Sequence, residues 1–122
     1  MDDKNKFTIK TKVWIENNEG DVVFGEGRLL ILNAIHKHGS INKAAKELKM
    51  SYRAVWDKIK TTEERLEKQL LIRNAGGASG GGSKLTPTAL EIIKQFKILE
   101  KKTNEGSQNF MIRTKLIDTL IG

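Results

Sequence analysis

The chain has 122 residues, of which 38% are hydrophobic and 30% charged, and its formal net charge is +7. This length and apolar content predict a single domain over residues 1–122 with a buried core. The sequence contains no cysteine, which excludes disulfides, thiolate metal sites and thiol catalysis. It shows neither an apolar run of membrane-spanning length nor a signal-like start, so we expect a cytoplasmic protein without a membrane partner.

The positive charge is concentrated in the middle of the sequence. Residues 40–60 hold six basic and two acidic side chains. A local basic field of this kind favours a polyanionic partner, either a nucleic acid or an anionic membrane surface.

An alternating pattern opens the chain and predicts a β-hairpin over residues 7–24. Phe7, Ile9, Val13 and Ile15 would share the buried face of a first strand. Turn-forming residues at 17–20 precede a second strand around residues 22–24. We expect this hairpin to cap the core or a dimer partner rather than to contact a ligand.

A helical core is predicted over residues 26–73, and it begins with a helix that ends at Gly39. The buried stripe of this first helix comprises Leu29, Leu30, Leu32 and Ile35. His36 and His38 are two residues apart and point in different directions on a helix, so we assign them no metal site. We expect no metal and no cofactor.

The stretch 40–66 has the pattern of a helix-turn-helix. Ser40 and Ser51 are each placed to cap a helix, and the connection between the two helices is short. Ala44 and Ala45 allow a close helix crossing, while Val55, Ile59 and Leu66 mark the buried line of the second helix.

Polar and basic side chains on this pair of helices predict contacts with duplex DNA. Arg53 is the first choice for reading a base, because its guanidinium fork matches the two acceptors of guanine. Asp57 either accepts from cytosine or steers the neighbouring cations, and Tyr52 and Trp56 either pack inward or reach the DNA. The candidate DNA-binding residues are Ser40, Asn42, Lys43, Ser51, Tyr52, Arg53, Asp57, Lys58, Lys60, Arg73 and Lys84.

A glycine-rich stretch follows the helix-turn-helix and predicts a wing over residues 71–86. It would consist of two short strands joined by a loop, with Arg73 at its base and Lys84 on its far side. A flexible linker between two domains would have the same composition. We prefer the wing, because a strand, a loop and a strand directly after a helix-turn-helix form a winged helix. A nucleotide-binding loop is disfavoured, since no Gly-Lys-Ser/Thr motif opens a helix here.

Thr86 and Pro87 predict the start of a last clear helix over residues 87–102. Its apolar stripe is broader than a small core needs, so we expect a dimer interface that includes Leu90, Ile93 and Phe96. Polar residues at 104–107 interrupt the pattern. The final segment, 107–122, reads either as a strand followed by a helix or as a helix throughout.

A set of these residues resembles the N-terminal winged-helix domain of ModE-type molybdate-responsive transcriptional regulators, and less closely the LysR-type DNA-binding domain. The motifs that carry this resemblance are Gly39-Ser40-Ile41, Ser51-Tyr52-Arg53, Ala54-Val55-Trp56-Asp57, the glycine-rich wing and Leu85-Thr86. The resemblance implies a DNA-binding homodimer with helix 51–66 in the major groove and wing 73–85 on the flanking backbone or minor groove. Full-length members carry C-terminal oxyanion-binding modules, and the resemblance covers about residues 25–102, so it implies DNA binding and does not extend to molybdate sensing.

The expected fold class is mainly α with small β, a winged helix-turn-helix with an N-terminal β-hairpin and a C-terminal dimerisation helix. We expect a non-enzymatic regulator, because the sequence shows no convergent acid, base or nucleophile. The alternative is a winged-helix adaptor that binds proteins without sequence-specific DNA binding.

Overall fold

A computed structural model of the chain describes residues 6–73 and 82–122. Its elements in chain order are β1 (Trp14–Glu16), β2 (Val22–Gly25), α1 (Glu26–His38), α2 (Ile41–Leu48), α3 (Tyr52–Leu66), β3 (Leu71–Arg73), β4 (Ser83–Leu85), α4 (Pro87–Arg113) and α5 (Leu116–Ile121). Contacts group the described residues into two compact units, residues 14–95 and residues 6–13 with 96–122. The single domain expected over the whole chain stays a prediction.

The first three helices pack around a shared core. α1 lies against α2 and also contacts α3, β2 and β4. Leu32, Ile35, Ala44 and Val55 are fully buried in this core. The short side chain of Ala44 lets neighbouring helices approach α2 closely. Burial of each large aliphatic side chain contributes about 1.5–3 kcal/mol, which fixes α2 and α3 relative to α1.

Serine caps and a glycine set the helix ends where the sequence predicts them. Ser40 Oγ accepts a hydrogen bond from Lys43 N (3.1 Å), and Ser51 Oγ accepts one from Ala54 N (3.0 Å). Gly39 ends α1 with a φ of 72°, in the left-handed region that glycine enters without a Cβ penalty. The predicted starts of α2 and α3 are confirmed.

The predicted tight connection between α2 and α3 is present. Lys49 takes a φ of 56° at the end of α2, and Met50 N donates to Ala45 O at 2.9 Å. This hydrogen bond satisfies one of the last carbonyl groups of the helix while the chain turns. α3 therefore starts soon after α2 ends, as a helix-turn-helix requires.

Two predicted buried positions are wrong. Leu30 is 50% exposed, and Ile31 is buried instead. On α3, Leu66 is only partly buried, and Thr62 completes the buried line. The Thr62 hydroxyl donates to Lys58 O and accepts from Arg28 Nε, both at 2.7 Å. An apolar pattern overlooks such a residue, because a hydroxyl is buried only once it has partners.

The N-terminal hairpin is shorter than predicted. Residues 7–13 are not a strand, and β1 pairs with β2 from Trp14 opposite Gly25. Gly25 directly precedes α1, so the hairpin offers no partner to residues before Trp14. Of the expected buried face, Ile15 is exposed, whereas Phe7, Ile9 and Val13 are partly buried. The turn is held by Asn17 Oδ1, which accepts from two backbone amides downstream.

β3 and β4 form an antiparallel pair where the sequence predicts the two sides of a wing. Leu71 pairs with Leu85 and Arg73 with Ser83. Ser83 N donates to Gly39 O at 2.8 Å, which joins β4 to the end of α1. The predicted glycine-rich tip falls on residues 74–81 and lies outside the described residues.

α4 continues past residue 102, and the predicted interruption at 104–107 is wrong. The helix starts where expected. Pro87 is its first residue, and Thr86 Oγ caps it by accepting a hydrogen bond from Ala89 N at 3.1 Å. Ser107 Oγ donates to Thr103 O within the helix, and Gly106 costs a helix only about 1 kcal/mol. For residues 107–122 the sequence left open a strand followed by a helix or a helix throughout. The segment is helical, apart from a short break before α5.

Candidate nucleic-acid interface

One face of α3 carries an exposed group of charged side chains. The Arg53 side chain is 81% exposed, and its Nε lies 3.2 Å from Asp57 Oδ1, one turn further along α3. An exposed pair of this kind adds little stability. Its effect is to orient the guanidinium, whose terminal nitrogens remain available for a planar pair of acceptors.

Trp56 lies between two cations on this face. The Arg53 guanidinium carbon is 5.5 Å from the centroid of the indole, and Lys60 Nζ is 5.6 Å away. The indole is partly exposed rather than buried. Sequence reasoning left Trp56 open between core and interface and did not include it among the DNA-binding residues. Its position four residues from both Tyr52 and Lys60 was the available signal.

A side-chain hydrogen bond joins the start of α3 to the base of the predicted wing. Arg73 Nη2 donates to Tyr52 Oη at 2.7 Å. Tyr52 is exposed, with its hydroxyl directed to β3 rather than to the core. Two predicted site residues far apart in sequence therefore form one unit.

Glu63 is a supporting residue that the sequence analysis missed. Its Oε2 accepts from Leu70 N (2.7 Å) and Leu71 N (3.2 Å), and its Oε1 lies 3.5 Å from Lys60 Nζ. The carboxylate thereby fixes the start of β3 to α3. No spacing pattern in the sequence indicates that Glu63 accepts from the backbone amides of Leu70 and Leu71.

Between α3 and β3 the surface forms a groove of about 630 Å³, which we call the α3–β3 groove. It is lined by apolar, cationic and acidic side chains and by one aromatic ring. Its lining residues are Ile41, Trp56, Ile59, Lys60, Glu63, Glu64, Lys68, Gln69, Leu71 and Arg73.

The start of α2 presents the second group of predicted contacts. Asn42 and Lys43 are exposed there, beside the partly exposed Ser40. The oxygens of Ser40 and Ser51 accept the capping hydrogen bonds, and each hydroxyl keeps a hydrogen that can be donated to a phosphate. Helix N-termini favour such anions.

Two predicted site residues lie apart from this arrangement. Lys58 lines a separate cleft of about 260 Å³ with Arg28 and Leu30. Burial, and then the charge of Arg65, lower the pKa of Arg28. Lys84 is exposed on β4, opposite Ile72.

The cluster around His38 is an inter-helix contact. Glu47 Oε1 lies 2.8 Å from Lys37 Nζ and 3.0 Å from His38 Nε2, which links α2 to the end of α1. Hydrogen bonds from Lys37 and His38 lower the pKa of Glu47. No group of three or more potential metal ligands occurs within residues 6–73 and 82–122. In these same ranges no helix is long and apolar enough to cross a membrane.

The predicted dimer residues divide by burial within the single chain. Ile93 is 7% and Phe96 2% exposed, whereas Leu90 is 41% exposed. Of these three, Leu90 is the one whose side chain is available to a partner.

Comparison with protein families gives a match over residues 27–90 to the bacterial regulatory helix-turn-helix protein, lysR family. The match covers the helix-turn-helix, β3, β4 and the start of α4. It therefore falls on the elements that build the candidate interface.

Curated relatives point to the family that the sequence resembles. The molybdenum transport protein ModE of Azotobacter vinelandii is 42% identical over 73 residues, covering 60% of this chain and 27% of that protein. The transcriptional regulator ModE of Haemophilus influenzae is 33% identical over 94 residues, covering 77% and 37%. The DNA-binding transcriptional dual regulator ModE of Escherichia coli K12 is 35% identical over 72 residues, covering 59% and 28%. The matched segment thus spans at most 37% of the length of these relatives. Their names confirm the predicted resemblance to ModE-type regulators.

Solved structures confirm the predicted winged helix-turn-helix. The CbnR_DBD–DNA complex superposes with a TM-score of 0.55 at 22% identity, covering 72% of this chain and 97% of that one. The BenM_DBD/benA site 1 DNA complex gives a TM-score of 0.51 at 25% identity, covering 72% and 94%.

Proposed function

This chain belongs to the lysR family of bacterial regulatory helix-turn-helix proteins, and we propose on that premise that it binds duplex DNA as a transcriptional regulator. The observation that carries the proposal is the exposed face of α3. There Arg53 and Lys60 flank Trp56, and Arg73 is attached to the start of the same helix. The proposal is supported by a relative described as a DNA-binding regulator and by two DNA complexes of similar fold.

α3 enters the major groove in this proposal. The groove is about 12 Å wide and accommodates one α-helix. Arg53 reads a guanine, with Asp57 holding its guanidinium in place. Ser40, Asn42 and Lys43 at the start of α2, with Ser51, Lys58 and Lys60, contact phosphates and so position the helix rather than specify the sequence.

The wing contacts the flanking backbone or minor groove. Arg73 and Lys84 provide the charges, and the hydrogen bond from Arg73 to Tyr52 supports a fixed relation between wing and helix. Contacts of this type respond to the width of the minor groove more than to base edges.

The regulator acts as a homodimer without catalysis, in the cytoplasm. One copy of this fold covers few base pairs, so two-fold pairing that reads an inverted repeat is the economical arrangement, with half-sites about one helical turn or a multiple apart. The exposed Leu90 on α4 supports a seam along this helix. Relatives named for molybdenum share with this chain the segment that carries the helix-turn-helix, so we propose DNA binding and no molybdate site in these residues.

A binding titration with a charge-matched control tests the proposal. Arg53→Glu and Lys101→Glu change the net charge equally, and their side chains are 81% and 79% exposed. With labelled mixed-sequence duplexes, fluorescence anisotropy should show strong loss for Arg53→Glu and near wild-type binding for Lys101→Glu. Equal losses would contradict an interface on α3. An absence of binding by the wild type would favour the adaptor function.

A further inference from the structure

The cleft of about 260 Å³ that contains Lys58 lies between α1 and α3, and we call it the α1–α3 cleft. Its side chains are of two kinds, apolar and cationic. They are Leu30, Ile31, Leu48 and Met50, with Arg28 and Lys58 as the cations. None of the described lining residues is acidic, and none of them also lines the α3–β3 groove. The cleft is therefore a separate surface with a charge of its own.

Arg28 is a partly buried cation that lacks a carboxylate partner. Its Nε donates to Thr62 Oγ1 at 2.7 Å, and none of the ion pairs in residues 6–73 and 82–122 includes Arg28 or Lys58. Burial, and then the charge of Arg65, lower the pKa of Arg28. Burial of a guanidinium is costly unless an anion compensates it. A bound anion in the cleft would supply that compensation.

The hydrogen bond to Thr62 makes a carboxylate the favoured anion. With Nε engaged, the two terminal nitrogens of Arg28 remain as donors, and their spacing matches the two oxygens of a carboxylate. Lys58 adds a second cation from α3, because it is exposed on the same cleft.

The other lining side chains require the ligand to have an apolar body. Leu30 is 50% exposed, and Leu48 and Met50 are partly buried, so apolar surface is left for a ligand to cover. The cleft has the volume of about nine water molecules, which suits an acid of about eight to twelve non-hydrogen atoms. A stable protein partner needs a far larger contact, about 800 Å² on each side.

We propose that the α1–α3 cleft binds a small apolar carboxylic acid as its anion, with the carboxylate on Arg28 and Lys58 and the apolar body against Leu30, Leu48 and Met50. This site goes beyond the proposed function. The acid contacts α1, the turn between α2 and α3, and α3 itself. Lys58 has three donor hydrogens, so a carboxylate and the proposed phosphate contact do not exclude each other.

Titration of isotope-labelled protein, followed by the NMR shifts of its backbone amides, tests the site with isocaproate as the probe. Isocaproamide has the same apolar body without the charge, and acetate has the charge without the body. We expect saturable shifts around residues 28–31, 48–50 and 58 with isocaproate. Isocaproamide and acetate should each bind at least about 10-fold more weakly, because each lacks one of the two interactions.

Two substitutions with matched controls test the assigned contacts. Arg28→Met removes the guanidinium and should weaken isocaproate binding about 10-fold to 100-fold, whereas Arg113→Met, at an exposed position of α4, should leave it unchanged. Leu30→Ser removes part of the apolar wall and should weaken binding about 3-fold to 10-fold. Leu120→Ser changes a leucine of equal exposure, 50%, and should have no effect.

The amide spectrum also shows whether each variant is folded. Thr62 loses its donor in Arg28→Met, and Leu30→Ser tests the same cleft at an exposed position without touching that hydrogen bond. Wild-type affinity in folded Arg28→Met or Leu30→Ser would contradict the contact assigned to that residue.

Four results with the wild type would overturn the inference. They are equal binding of isocaproate and isocaproamide, equal binding of acetate or inorganic phosphate, shifts confined to the α3–β3 groove, and no saturable shifts at all. None of these titrations contains DNA. Failure of the proposed function is seen separately, as an absence of binding in the anisotropy titration with duplexes.

Discussion

At the scale of single residues, the interface depends on how a few charged groups are held. Arg53 is almost fully exposed, yet Asp57 and Trp56 both restrict it. Such restriction lowers the conformational entropy that the side chain loses on binding. In the proposed interface this pair therefore favours binding, while it contributes little to folding.

Arg53 and Lys43 should affect DNA recognition differently. Arg53→Ala removes a base-reading fork, so we expect about 1–3 kcal/mol less discrimination for the preferred base. Lys43→Ala removes a phosphate contact and should weaken all sequences alike. Affinities for the selected site and for single-base variants, measured by anisotropy, give the comparison. Equal losses on specific and random DNA for Arg53→Ala would argue against base reading.

Glu63 allows a stability prediction that does not involve DNA. Glu63→Ala leaves Leu70 N and Leu71 N without their acceptor, and Leu70 is fully buried. A lost partner at a buried amide costs about 1–3 kcal/mol of unfolding free energy. Urea unfolding should show this loss, and Glu63→Gln should show less, because the amide oxygen can still accept. A neutral Glu63→Ala would contradict the structural role.

At the scale of elements, the starts of α2, α3 and α4 and the end of α1 were predictable, whereas strand lengths were not. Ser40, Ser51, Thr86 and Gly39 act through neighbours within four residues, so the sequence alone identifies them. The length of β1 depends instead on where its partner strand ends, at Gly25 before α1.

The failed break in α4 has a related cause. Asn104, Gly106 and Ser107 are individually weak helix formers. Their combined cost is small enough for the helix to continue to Met111, which is buried. Local propensity therefore predicted an end that tertiary contacts override.

The predicted dimer interface lies on α4, and the burial of its residues shows which of them a partner can contact. Leu90→Glu changes an exposed side chain and should produce folded monomers if the seam follows this face. Ile93→Glu places a charge at a buried position and should instead lower thermal stability. Sedimentation and circular dichroism distinguish the two. An unchanged dimer of Leu90→Glu would move the seam to another surface.

At the scale of the whole molecule, the net charge and the fold both favour duplex DNA as the partner. The chain carries a net charge of +7, and its helix-turn-helix presents basic side chains on an exposed face. The excess of basic residues within 40–60 was sufficient to predict this basic helix-turn-helix from the sequence. The contacts from Arg73 to Tyr52 and from Glu63 to the β3 region were not, because they join residues whose proximity only the packed fold creates.

The charge predicts a steep salt dependence. If a dimer neutralises about six phosphates, log affinity should fall with log salt at a slope of about −5. Titrations between low and physiological salt measure this slope, and Lys43→Ala should make it shallower. A slope near zero would contradict a phosphate-based interface.

The most direct test of DNA reading by α3 and the wing is selection of bound duplexes from a random pool at physiological salt, with purified protein. We predict enrichment of an inverted repeat whose half-sites are about one helical turn or a multiple apart. Arg53→Ala should enrich a site degenerate at one position in each half. A pool that stays random for the wild type would contradict sequence-specific binding and leave an adaptor function as the better account.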